Sequence, residues 1–110
     1  MGLVSIQDVN DALRLDLASD GASPPTFTDD RIPEVELKLG QAEDIVLDYL
    51  KVAADKWDES TVPARVKTAV LLSFEALFDN RYDLIAALKE NNQESPIVAV
   101  LWRLRDPALA

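Results

Sequence analysis

Glu43-Asp44, Asp58-Glu59 and Asp29-Asp30 are adjacent carboxylate pairs, and carboxylates are the groups through which this chain would have to run acid–base or metal chemistry. Histidine and cysteine are both absent from its 110 residues. Thiolate nucleophiles, disulfides and zinc sites of the usual Cys/His kind are therefore excluded. The commonest general base near neutral pH is missing as well. Neighbouring residues on a helix point about 100° apart, so none of the adjacent pairs faces one target. Asp44 and Asp48 stand four apart and share a face, but a two-metal site or an acid–base dyad needs more partners than these. Residues 20–30 lack the alternating aspartates and closing glutamate of a calcium loop. Ser73 lies in an apolar stretch with no histidine to activate it. No phosphate-cradling glycine loop and no nucleophile elbow is present. The Asp-Ser-Leu turn of a carrier protein is also missing. The expectation is a protein that is not an enzyme and takes no cofactor and no metal, its acids forming a solvated face.

The charge is unevenly placed. Residues 1–60 carry 14 acidic and 5 basic side chains, a balance of −9, and residues 61–110 carry 6 of each. Phosphate binding draws on clustered Lys and Arg, and no such cluster occurs, which argues against nucleic-acid binding as the main task. No apolar run approaches the ~20 residues that span a bilayer. The opening MGLVSIQDVND has neither the basic start nor the apolar core of a secretory signal, and Ile6 spoils a myristoylation pattern.

Glycines stand only at Gly2, Gly21 and Gly40, and no segment alternates with period two, so the elements are helices with short connections. A first helix is expected over Ile6–Leu15, capped by Ser5 with Asp8 three residues on. Ile6, Val9, Leu13 and Leu17 share its inner face. Residues 18–30, rich in Pro, Gly, Ser and Asp, read as a flexible loop. A second helix is expected from Arg31 or Ile32 to Ala54, capped by Asp29 or Asp30, with Pro33 in its first turn. Val35, Leu39, Ala42, Val46, Tyr49, Leu50 and Ala53 form its apolar stripe, while Leu37 and Leu47 fall off it. Gly40 marks a bend or a close crossing. A third helix starts near Pro63, with Ser60 or Thr61 as its cap, and runs to Asp79. It is apolar around most of its circumference, which favours burial partly by neighbouring subunits; a central helix inside a monomeric bundle is the plainer alternative. A fourth helix covers residues 81–89. A last one begins at Ser95-Pro96 and belongs to a C-terminal helix and tail over 95–110. The fold class is all-α: one domain over 1–110, a small bundle of four to five helices with two longer central ones. Trp102 is read as either a core anchor or an interface anchor.

The segment VPARVKTAVLLSFEALFDNR, Val62–Arg81, resembles the signature helix of the HK97 gp6-like phage head–tail connector (adaptor) family. Pro63, Val66, Lys67, Ala69, Val70, Leu71, Leu72, Asn80 and Arg81 carry the likeness. The C-terminus is similar too, with Ser95-Pro96, Val98, Leu101 and Arg105-Asp106-Pro107. So is the N-terminal plan of a short helix, a loop and a longer helix ending in Tyr49-Leu50. Two departures stand out. The 18–30 loop is long and proline-rich. Lys51-Val52-Ala53-Ala54 replaces the glycine turn that usually follows Tyr-Leu, so the long helix is expected to continue.

The resemblance implies a non-enzymatic virion protein at the head–tail junction, made in the bacterial cytoplasm. It would form a homo-oligomeric, twelvefold ring docked on the portal, joined to a tail or head-completion protein, with DNA passing through unbound and no membrane involved. A ring needs heterologous contacts. Leu37 and Leu47 are candidates for one face, Leu71, Leu72 and Phe78 for another, and Trp102 for a partner contact. Asp29, Asp30, Glu34 and Glu36 are candidates for an acidic channel lining that keeps DNA from sticking. The alternative is a small acidic helical interaction module, virion or regulatory, without ring assembly.

Overall fold

The computed structural model describes residues 2–23, 25–53 and 55–104. They form five α-helices: α1 (Ile6–Leu13), α2 (Ile32–Leu50), α3 (Ala64–Phe78), α4 (Tyr82–Glu90) and α5 (Pro96–Leu101), followed by a 3₁₀ turn, Trp102–Leu104. The all-α bundle with two longer central helices is as expected. Residues 105–110, which hold the expected Arg105-Asp106-Pro107 closing turn and the rest of the tail, lie outside the described residues.

α3 is the axis of the bundle, packed by α1, α2, α4 and α5. Val66, Ala69, Val70, Ser73 and Phe74 are fully enclosed. One chain thus supplies most of the cover that the sequence suggested neighbouring subunits would give. The chain makes a slab of 46 × 28 × 18 Å. Packed helices sit about 8–10 Å apart, so 18 Å admits about two layers.

The helix starts follow side-chain chemistry. Ser5 Oγ accepts from Asp8 N at 3.0 Å and Asp8 returns the bond to Ser5 N at 3.1 Å, a complete capping box. Asp29, by contrast, is not the cap of α2. Its carboxylate takes the N–H groups of Ala18 and Arg31 and the Arg31 guanidinium, which reaches on to Leu15 O at 2.9 Å. Ser60 and Thr61 leave the start of α3 uncapped, because both bond to the Asp58 carboxylate in a tight turn.

The helix ends share one device. Arg14, Lys51, Asn80 and Asn91 each take the left-handed conformation, at φ 53°, 60°, 58° and 52°. The residue after each donates back to a carbonyl five positions earlier: Leu15 to Asn10, Val52 to Leu47, Arg81 to Ala76 and Asn92 to Ala87. This satisfies carbonyls that the helix itself leaves free. α1 therefore stops at Leu13 rather than Leu15, and α2 at Leu50 rather than Ala54. Ala53, placed on the buried stripe by sequence, is exposed. Gly40 is exposed, with nothing within 4 Å of where a Cβ would stand, so no close crossing requires it.

The described part of the 18–30 loop bonds to itself. Ser19 and Phe27 form an antiparallel bridge, Thr28 N donates to Ala18 O at 2.8 Å, and Asp20 Oδ1 accepts from Ala22 N and Thr26 N. Phe27 packs on the core.

Candidate functional site

Several residues of the connector-like pattern turn out to make the joints between helices. Pro63 precedes α3 in extended backbone, where its ring fits the helix entry. Lys67 reaches Asp8 of the α1 capping box at 3.3 Å, docking α1 on α3. Burial works to raise the Asp8 pKa, but the bonds from Ser5 and Lys67 outweigh it and hold the carboxyl below its ordinary range. Asn80 supplies the left-handed residue that ends α3, and Arg81 N donates to Ala76 O at 2.6 Å. The Arg81 guanidinium then pairs with Asp83 at 3.0 Å in the first turn of α4, where the helix dipole also favours the acid.

The interface candidates separate into exposed and enclosed groups. Leu37 is 62% exposed on the outer side of α2, and Trp102 is 39% exposed after α5. Leu47 is only 6% exposed and belongs to the chain's own core, which corrects its assignment to a surface contact. It sits one turn beyond Glu43, on the flank of α2 where the N-terminal segment docks. Leu71 and Leu72 are half-buried against the core. Phe78 is half-buried, stacked on Phe74 with ring centroids 5.4 Å apart and overlain by Lys38 Nζ at 5.3 Å. These three therefore offer a narrower face than their sequence positions suggest. Tyr82 and Leu104, exposed by 58% and 40%, were not singled out by sequence.

The acidic candidates do not form one patch. Asp29 is neutralised in place: the Arg31 guanidinium and the N–H groups of Ala18 and Arg31 hold its carboxyl far below the usual range. Asp30, Glu34 and Glu36 are exposed. On a helix, however, Glu34 and Glu36 point about 160° apart. The acids that continue the Leu37 side of α2 are Glu34, Asp44 and Asp48, all exposed, and the shared face of Asp44 and Asp48 was already legible from their spacing.

One carboxylate of the adjacent pairs, expected on a solvated face, is instead buried. Glu43 Oε2 accepts from Leu3 N at 2.6 Å and from Val4 N at 3.1 Å. Burial pushes its pKa up, and the two backbone bonds only partly offset that. Its role is to seat Leu3 and Val4, both buried, against α2. Only contact across forty residues distinguishes it from a surface glutamate, and no local spacing signals that. Ser73 Oγ and Ser95 Oγ are buried without a hydrogen-bond partner among the described residues.

Open grooves flank the helices. One of about 510 Å³ lies between α3 and α5, lined by Ala64, Arg65, Thr68, Val100, Trp102 and Arg103. Another runs between α2 and α4 beside Ile45, Tyr49 and Ile85. A third lies beside Lys38, Gln41 and Tyr82. No group of three acidic, histidine or cysteine side chains is arranged to hold a metal ion among the described residues. No helix among them is long and apolar enough to cross a membrane. No family model, curated protein or solved structure matches the chain, so the family reading rests on the residues quoted above.

Proposed function

We propose that the chain is the structural subunit of a head–tail connector ring, docking on the portal of a tailed phage and leaving a channel for DNA. The observation that carries this reading is the part played by the pattern residues. Pro63, Lys67, Asn80 and Arg81 set how α3 starts, how it holds α1 and how it turns into α4. A likeness in residues that build the architecture supports a likeness in architecture. The end of α2 at Leu50 adds to it: Lys51 takes the left-handed position that a glycine turn would occupy, so one apparent departure from the family layout disappears. Exposed Leu37, Tyr82 and Trp102 supply apolar contact points for partners.

The test is the solution mass by light scattering, alone and with a tailed-phage portal preparation. Ring-sized particles, or subunits that co-migrate with portal, support the reading. Subunits that ignore portal at high concentration sink it.

A second reading has one observation in its favour. α3 is enclosed by the chain's own helices, so the fold does not need neighbours to complete its core. That suits a small acidic interaction module without a ring, and the same experiment separates the two.

A further inference from the structure

We propose that two faces of this chain are complementary and meet head-to-tail: the acidic outer face of α2, which carries the exposed Leu37, docks into the α3–α5 groove of a second copy. The proposal deepens the connector reading and rests on it for the purpose of the contact. The fit itself comes from the two faces.

The outer face of α2 holds Glu34, Leu37, Gln41, Asp44 and Asp48, all exposed. At 100° per residue they fall within one side of the helix, opposite Val35, Ala42 and Val46, which face the core. Leu37 is the one large apolar side chain among them and the most exposed of the described large hydrophobic residues. Glu34 and Leu37 stand clear of the grooves beside α2, while Gln41, Asp44 and Asp48 border the grooves that α2 shares with α3 and α4.

The groove is its converse. Ala64, Val100 and Trp102 give apolar walls, and its charged lining residues are two arginines, Arg65 and Arg103. Neither arginine makes an ion pair among the described residues. Arg103 lies over the Trp102 ring at 5.2 Å, which holds a cation at the groove's edge. An apolar side chain with Glu34 one turn before it and Asp44 and Asp48 two and three turns beyond thus meets an apolar groove edged by guanidinium groups. Opposite potentials of this kind steer encounter and fix register.

The two faces cannot be one self-paired patch, because α2 and α5 pack on different flanks of α3. Lys38 of α2 reaches Leu77 O and the Phe78 ring of α3, whereas α5 shares grooves with α3 beside Arg65, Leu72 and Ala76. A contact between different faces propagates from copy to copy, closing into a ring if the rotation allows.

The absence of cysteine makes a direct test available. Gln41→Cys is made in one copy and Thr68→Cys in a mass-tagged second copy; both positions are exposed and leave Leu37 and the arginines intact. The pair is mixed at high concentration with a short bis-maleimide. The unlike adduct should exceed each like adduct several-fold and fall with added salt. Leu37→Asp, or Arg65→Glu with Arg103→Glu, should lower the unlike adduct roughly tenfold, with the helical circular dichroism unchanged. Predominantly like adducts, no adduct, or indifference to these substitutions would each overturn the proposal. Portal co-migration is measured separately. Portal binding without the unlike adduct removes this interface and leaves the connector; the adduct without portal binding does the reverse.

Discussion

Lys51 occupies a conformation that costs an L-residue about 1–2 kcal/mol, and it does so where a glycine would pay nothing for the missing Cβ. Lys51→Gly should therefore raise stability by about 0.5–1 kcal/mol despite the greater freedom of glycine in the unfolded chain. Gly40 is the converse case. It sits exposed inside α2 with open space at its Cβ position, so Gly40→Ala should add about 0.5–1 kcal/mol. Urea unfolding checks both, and a loss on either substitution would contradict the local geometry. Glu43 carries a pH signature. Burial raises its pKa when folded, so the associated stability is fully present below the ordinary value of 4.5 and is lost as pH rises through the folded value. Glu43→Gln keeps a carbonyl oxygen for Leu3 N and Val4 N but cannot titrate. The stability difference, wild type minus variant, should then be larger near pH 4 than near pH 7. Taking the difference cancels Asp8, Asp29 and Asp83, whose lowered values make them lose stability in the opposite direction, as pH falls. A flat difference across that range would show that Glu43 is solvated.

At the scale of elements, the helix starts and the ends of α3 and α4 were readable to within a residue, and the ends of α1 and α2 were not. Ser5 and Asp8 announce α1 because a capping box is a local pattern of residue types. The ends at Arg14 and Lys51 carry no such mark, because Arg and Lys are ordinary helix formers and only the backbone turn gives them away. The overrun of α2 to Ala54 and the placing of Ala53 on the buried stripe are one error with this one cause. The apolar content of α3 was legible, but its cover was not, since knowing that four helices close around it requires the tertiary arrangement. Leu47 failed for the same reason: periodicity along α2 does not foresee the N-terminal segment docking on Glu43, one turn before it. Phe74 is the sharpest test of α3 as axis. It is fully buried and stacked on Phe78, so Phe74→Ala should cost about 3–5 kcal/mol. A loss near 1 kcal/mol, read from the urea midpoint, would mean that the helices around it collapse readily into the space.

For the whole molecule, a slab 18 Å deep exposes broad faces relative to its core, and the acids are divided between them. Glu34, Asp44 and Asp48 lie on the α2 face assigned to a neighbouring copy, while Glu36 points about 160° from Glu34 and Asp30 is exposed just before α2 begins. If the first group is spent on arginines of the next subunit, the second is the one left to repel DNA in a channel. The two roles then come apart experimentally. Asp30→Lys with Glu36→Lys spares the residues of the proposed subunit contact and puts cations where the proposed lining is acidic. Rings of this variant should retain duplex DNA at low salt, with affinity falling steeply as salt rises, because each lysine that contacts a phosphate releases a counterion. Wild-type rings should not retain it. The same double reversal in phage particles should slow DNA exit, and unchanged exit with intact rings would place these acids away from the channel.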